Sequence, residues 1–138
     1  MRSDGFWRAS GNLTALLVLL LASPAWSRVV INEILYHPSN DAVQVGEDAE
    51  DLQFIELYNT GPDVADLSGA TFADGVTFTF PAGTLLPVGG YVVVTQNPAL
   101  LALRGPGIPE GVAVFQWSAG VLANGGERLR LVDARAEI

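Results

Sequence analysis

Apolar residues recur at every second position in much of this chain, in short runs cut by glycine, proline and asparagine. Residues 28–36 are rich in β-branched and aromatic side chains and stop at His37-Pro38-Ser39-Asn40, which predicts a first strand ended by a breaker. Residues 52–58 predict a second strand, closed by the turn-forming Asn59-Thr60-Gly61-Pro62-Asp63. Residues 70–73 and 76–80 flank Asp74-Gly75, the signature of a two-residue hairpin. In its second arm Val76, Phe78 and Phe80 alternate with Thr77 and Thr79, so one face is buried and the other wet. Tyr91-Val92-Val93-Val94 is continuously apolar and predicts a central strand covered on both sides.

The period changes only once. Asn97 suits a helix N-cap and Pro98 the first helical position, and the helix this predicts runs about two turns before Gly105-Pro106 stops it. Strands follow at 112–117 and 127–133, the second with Leu129 and Leu131 on one face and Arg128 and Arg130 on the other. Between them Asn124-Gly125-Gly126 reads as a tight turn. Residues 41–51 are polar and acidic and read as an exposed loop. Many short strands separated by turns, with one short helix, predict an all-β sandwich.

The amino-terminal end has a different pattern. Arg2 and Arg8 precede an apolar run of about ten residues, 13–22, and small residues follow at Ser23, Ala25 and Ser27. That is the layout of a secretory signal peptide over residues 1–27, cleaved after Ala25 or after Ser27. The run is too short for a spanning helix of roughly 20 residues, so no stable membrane insertion is expected after cleavage. The remaining 113 or 111 residues, nominally 28–138, make one domain.

Charge narrows the partners. The whole chain carries a formal charge of −8, and loss of Arg2, Asp4 and Arg8 leaves five arginines against fourteen acids. No arginine or lysine falls between Arg28 and Arg104. Such a surface repels phosphate backbones and anionic lipid, which argues against nucleic acid as a partner. With no cysteine, neither a disulfide nor a lipidated amino-terminal cysteine is available.

Six phrases stand in a particular order: Val29 to Ile34, Phe54 to Asn59, Asp66-Leu67-Ser68-Gly69, Thr79 to Thr84, Gly89 to Val94, and Asn124 to Asp133. In that order and spacing the chain resembles the lamin tail domain, in the form found in secreted bacterial proteins. The resemblance implies an immunoglobulin-like β-sandwich acting as a binding or structural module, with an unidentified protein or glycan partner. Two departures stand out. The family often has tryptophan after Leu-Ser-Gly, where this chain has Ala70. The family also continues into at least one more strand, so the chain reads as the amino-terminal part of a longer protein, truncated within its sandwich domain. Relatives of this kind adjoin kinase-like regions of the spore-coat-H type, nucleases or phosphatases. The competing expectation is therefore a fragment of a secreted enzyme whose catalytic region lies elsewhere.

No residue set in the chain composes a catalytic, cofactor or metal site. His37 is the lone histidine and reads as a solvent-exposed loop residue. Asp41, Glu47, Asp48, Glu50 and Asp51 offer hard oxygens but lack the spacing of a dedicated calcium loop, so a solvated acidic loop is the expectation. Glu33 and Glu56 lie in apolar strands with no cleft apparent around them, which places them on an edge or solvent face. Ser68 lacks the Gly-x-Ser-x-Gly elbow. The glycines at 89–90 and 125–126 precede strands and do not cradle phosphate. Arg128 and Arg130 read as a solvated face, and Phe115 and Trp117 as core.

Overall fold

The computed structural model describes residues 29–133. The expected leader, and Ala134 to Ile138, lie outside the described residues. Among the described residues nine strands and one α-helix follow in chain order. They are β1 Val29–Leu35, β2 Phe54–Asn59, β3 Ala65–Asp66, β4 Thr71–Asp74, β5 Phe78–Thr79, β6 Leu85–Leu86, β7 Tyr91–Thr95, α1 Pro98–Arg104, β8 Ala113–Gln116 and β9 Arg130–Val132.

The main sheet runs β1-β2-β7-β8; the opposing layer comprises the pair β3-β6 and the three-stranded β5-β4-β9. Alternation in β2 decides what each face of the main sheet covers. Ile55 and Leu57 point inward with Val92 and Val94 of β7, against Ala65, Leu67, Phe72, Phe80 and Leu86 of the other layer, and Trp117 just after β8 joins the same cluster. Ile55, Leu57 and Val94 have no accessible surface, and burial of each contributes about 1.5–3 kcal/mol. Phe54 and Val93 point outward, where Leu100 and Leu101 of α1 cover them together with Leu52. Val92, Val93 and Val94 of β7 are thus buried on both faces, as the sequence predicts, because the sandwich lies on one side and the helix on the other, whereas Tyr91 at the head of the run is exposed.

The same helix explains an irregularity of the sheet. β7 pairs with β2 antiparallel, yet with β8 in parallel register from Val92↔Ala113 to Thr95↔Gln116. Parallel neighbours need a crossover connection, and α1 is that crossover. Asn97 caps it by accepting the Leu100 amide at 3.1 Å, Pro98 opens it, and the Gly105 N–H closes it on the Leu101 carbonyl at 2.8 Å.

Four local expectations are corrected. The hairpin of β4 and β5 pairs Thr71↔Thr79 and Phe72↔Phe78, one residue away from the register of a two-residue Asp74-Gly75 loop. Thr77 instead bridges to Ala119, which draws that arm toward the loop after β8. Residues 41–51 are not wholly irregular: short 3-10 turns form at Asn40–Ala42 and Ala49–Leu52, and Ala49 is buried. Leu52 belongs to the second of these turns, so β2 starts at Phe54. The last strand is confined to Arg130–Val132, with Leu129 and Leu131 half-buried against the core as their alternation requires.

Ala70 is buried in the same cluster as Phe72, Phe80 and Trp117. Its amide donates to the Leu67 carbonyl at 2.9 Å and its own carbonyl accepts the Phe80 amide at 2.9 Å. Aromatic volume is supplied here from neighbouring positions. Phe80 meets Phe78 edge-on at 4.9 Å and Phe115 edge-on at 5.7 Å.

Candidate functional site

Three buried polar side chains hold the frame. Gln53 lies between the second 3-10 turn and β2, and its backbone N–H donates to the Glu50 carbonyl at 3.0 Å. Its Nε2 donates to the Tyr36 and Leu122 carbonyls at 2.8 and 3.0 Å, and its Oε1 accepts the Leu122 amide at 2.8 Å. Asn59 ends β2 and does the same at the other pole. Its Nδ2 donates to the Asp63 and Leu86 carbonyls, and its Oδ1 accepts the Gly61 amide at 2.9 Å. Thr95 donates its hydroxyl to the Gln53 carbonyl at 2.7 Å. Satisfied in this way, the buried amides fix the loops at both ends of the main sheet.

The phrase Asp66-Leu67-Ser68-Gly69 forms a corner. Asp66 accepts both the amide and the hydroxyl of Ser68, at 3.0 and 2.5 Å. The Ser68 oxygen then accepts the Gly83 amide at 2.9 Å, stitching the corner to the Pro-Ala-Gly-Thr turn. This serine is a structural acceptor.

The acidic stretch is also engaged. Asp48 caps the second 3-10 turn through the Glu50 amide at 2.9 Å. Glu47 accepts the Gln44 amide at 2.8 Å and pairs with Arg104 Nε at 3.2 Å. These hydrogen bonds, the backbone one foremost, hold its carboxyl below the usual glutamate range. Asp51 accepts from Asn97 Nδ2 at 3.3 Å. Among the described residues no group of three or more acidic or histidine side chains is placed to hold a metal ion. His37 Nδ1 lies 3.0 Å from Asn124 Oδ1, so the exposed histidine meets the tight turn before β9.

Sequence reasoning missed the arrangement of Glu33 and Glu56. They are direct cross-strand partners in β1 and β2. Both line a groove of about 250 Å³ between the outer face of the main sheet and the loop after α1, with Phe54, Val93 and Leu101 beneath and Ile108 opposite. The expected edge and solvent-face placement holds, with Glu33 exposed on the edge strand β1 and Glu56 half-buried beside it; the half-open groove that adjoins them was not foreseen. The signal was weak, because the two glutamates lie in different strands and the wall comes from a third segment. Asn32 is an extra residue in β1, opposed by no partner between the Ile31↔Leu57 and Glu33↔Glu56 pairs. Its Nδ2 donates to Glu56 Oε1 at 2.7 Å.

Beyond the groove the outer face continues as an aromatic strip. Tyr58 and Tyr91 are cross-strand partners and their rings stack at 4.6 Å. Val30 is paired with Tyr58, and Val30 and Tyr91 are each 40 % exposed. Here α1 no longer covers the sheet. Arg128 is exposed, and Arg130 lies 3.3 Å from Asp74 on the far layer. Trp117 is buried and its Nε1 donates to Gln96 Oε1 and to the Gly120 carbonyl, a core role as expected.

No helix among the described residues is long and apolar enough to cross a membrane. None of the curated proteins compared with the chain matches it. A family model, Lamin Tail Domain, matches residues 22–138. The match covers most of the chain and agrees with the strand-built, two-layered architecture. The chain belongs to the lamin tail domain family, whose members are immunoglobulin-like modules of the binding or structural kind.

Proposed function

We propose that this chain is a non-catalytic module, exported from the cytoplasm, that attaches a protein or glycan partner or positions an adjoining domain. The observation that carries this reading is the uncovered outer face of the main sheet. Val30 and Tyr91, with the half-buried Tyr58 between them, leave a partly exposed apolar and aromatic strip beside an acidic groove. A sheet face turned to solvent ordinarily carries polar residues, and a contiguous apolar patch rimmed by charge is typical of an interaction surface.

The residues capable of chemistry support the same reading. Ser68 is held in a corner, Asp48 caps a turn, and Glu47 is paired with Arg104. Export is supported by the basic start and the short apolar run of residues 1–27. Net negative charge favours partners other than nucleic acid.

Two experiments test the two halves. A reporter fused after residue 27 should appear outside the cytoplasm; retention inside would remove export from the proposal. Tyr58→Ala with Tyr91→Ala should abolish retention of partners from an envelope extract while melting stays cooperative. Unchanged retention by that folded double variant would remove the outer face from it.

A further inference from the structure

We propose that the groove beside Glu33 and Glu56 seats a basic side chain, lysine or arginine, presented by a partner protein. The inference rests on the outer-face reading above and assigns chemistry to one part of that face. Size comes first. At about 250 Å³ the groove is of a size to take one long side chain.

Chemistry selects which side chain. Phe54, Val93 and Leu101 are themselves buried and only close the base, while the half-buried Ile108 with the exposed Pro106 and Pro109 supplies an apolar wall suited to a methylene stem. At one end stand Glu33 and Glu56, directly opposed across antiparallel strands. Like charges in that position repel, and a cation placed between them reverses the sign. Neither ion pair found among the described residues, Arg104–Glu47 or Arg130–Asp74, involves these glutamates. Asn32 gives Glu56 one hydrogen bond and no charge. A stem along that wall with its cationic head at the carboxylates satisfies both halves of the groove. The chain's own excess of acids draws a basic partner toward it.

The test uses isotope-labelled protein and three capped pentapeptides, alanine throughout except for a central lysine, norleucine or glutamate. Norleucine keeps the stem and lacks the charge. With the lysine peptide, amide shifts should concentrate at Glu33, Phe54, Glu56 and Ile108. The norleucine peptide, and the E33Q/E56Q protein with the lysine peptide, should each bind about tenfold more weakly. Ile108→Ala should weaken binding with the charges intact. Equal binding of lysine and norleucine peptides, shifts that map to residues 41–51, or no shift at all would overturn the proposal. So would saturation of the groove by self-association, read from a concentration-dependent sedimentation coefficient. Partner retention lost in the Tyr58/Tyr91 variant but kept in E33Q/E56Q would refute the groove alone; retention kept in both would refute the outer face as well.

Discussion

At the scale of single residues, this sandwich depends on a few polar atoms that its core cannot do without. Gln53 satisfies three backbone groups on two separate segments, all from a fully enclosed position. Gln53→Ala leaves those groups without partners, and the expected loss is about 3 kcal/mol, read from urea unfolding. Asn59→Asp should be comparably harmful, because it aims a carboxylate at the Asp63 and Leu86 carbonyls that now accept from its amide. Gly120 makes a different demand. Its φ is 92°, and a Cβ there would come within 2.6 Å of the Gly75 carbonyl oxygen. Gly120→Ala should therefore cost about 1–3 kcal/mol from the backbone conformation alone. These positions were poorly legible in the sequence. Nothing in the letters around Gln53 says that its amide reaches Leu122, whereas the Asn59-Thr60-Gly61 turn announced itself through its residue types.

Elements show the opposite balance. Asn97, Pro98 and Gly105 identified α1 because capping is a local matter, settled within a few residues. The central position of β7 was equally plain, since three consecutive buried valines need cover on both sides. Pairing was not plain. A two-residue period says which face a side chain takes but not which strand lies beside it, so the parallel β7–β8 pair and the shifted β4–β5 register came only from the fold. The groove belongs to this class, being built from β1, β2 and the segment after α1. Asn97→Ala should lower stability by about 1 kcal/mol through loss of the cap. The 3-10 turns bring Glu47 to Arg104, and acid should expose that link. The folded-state pKa of Glu47 is depressed, so its contribution is complete above the ordinary carboxylate range and disappears as pH falls through the lower folded value. Melting temperature against pH should show this acid-side decline flattened in Glu47→Gln.

Over the whole molecule, the main sheet carries two cores at once. The inner one binds the second layer and the outer one binds α1, with β2 and β7 shared by both. Amide hydrogen exchange should accordingly be slowest in Phe54–Asn59 and Tyr91–Thr95 and faster in β1, which lies at the sheet margin. The lamin tail phrases located this architecture from the sequence because they fall where the frame is pinned: Asn59 at the end of one strand, Asp66 and Ser68 in the stitched corner, Gly89 and Gly90 at the entry to β7. That margin also bears on how copies of the chain behave when crowded. A second molecule laying a strand along β1 would meet the insertion at Asn32 and lose step with the backbone groups beyond it. Excision of Asn32 should straighten the flank and invite cross-β stacking, visible as rising light scatter in concentrated solutions that stay clear with the natural sequence.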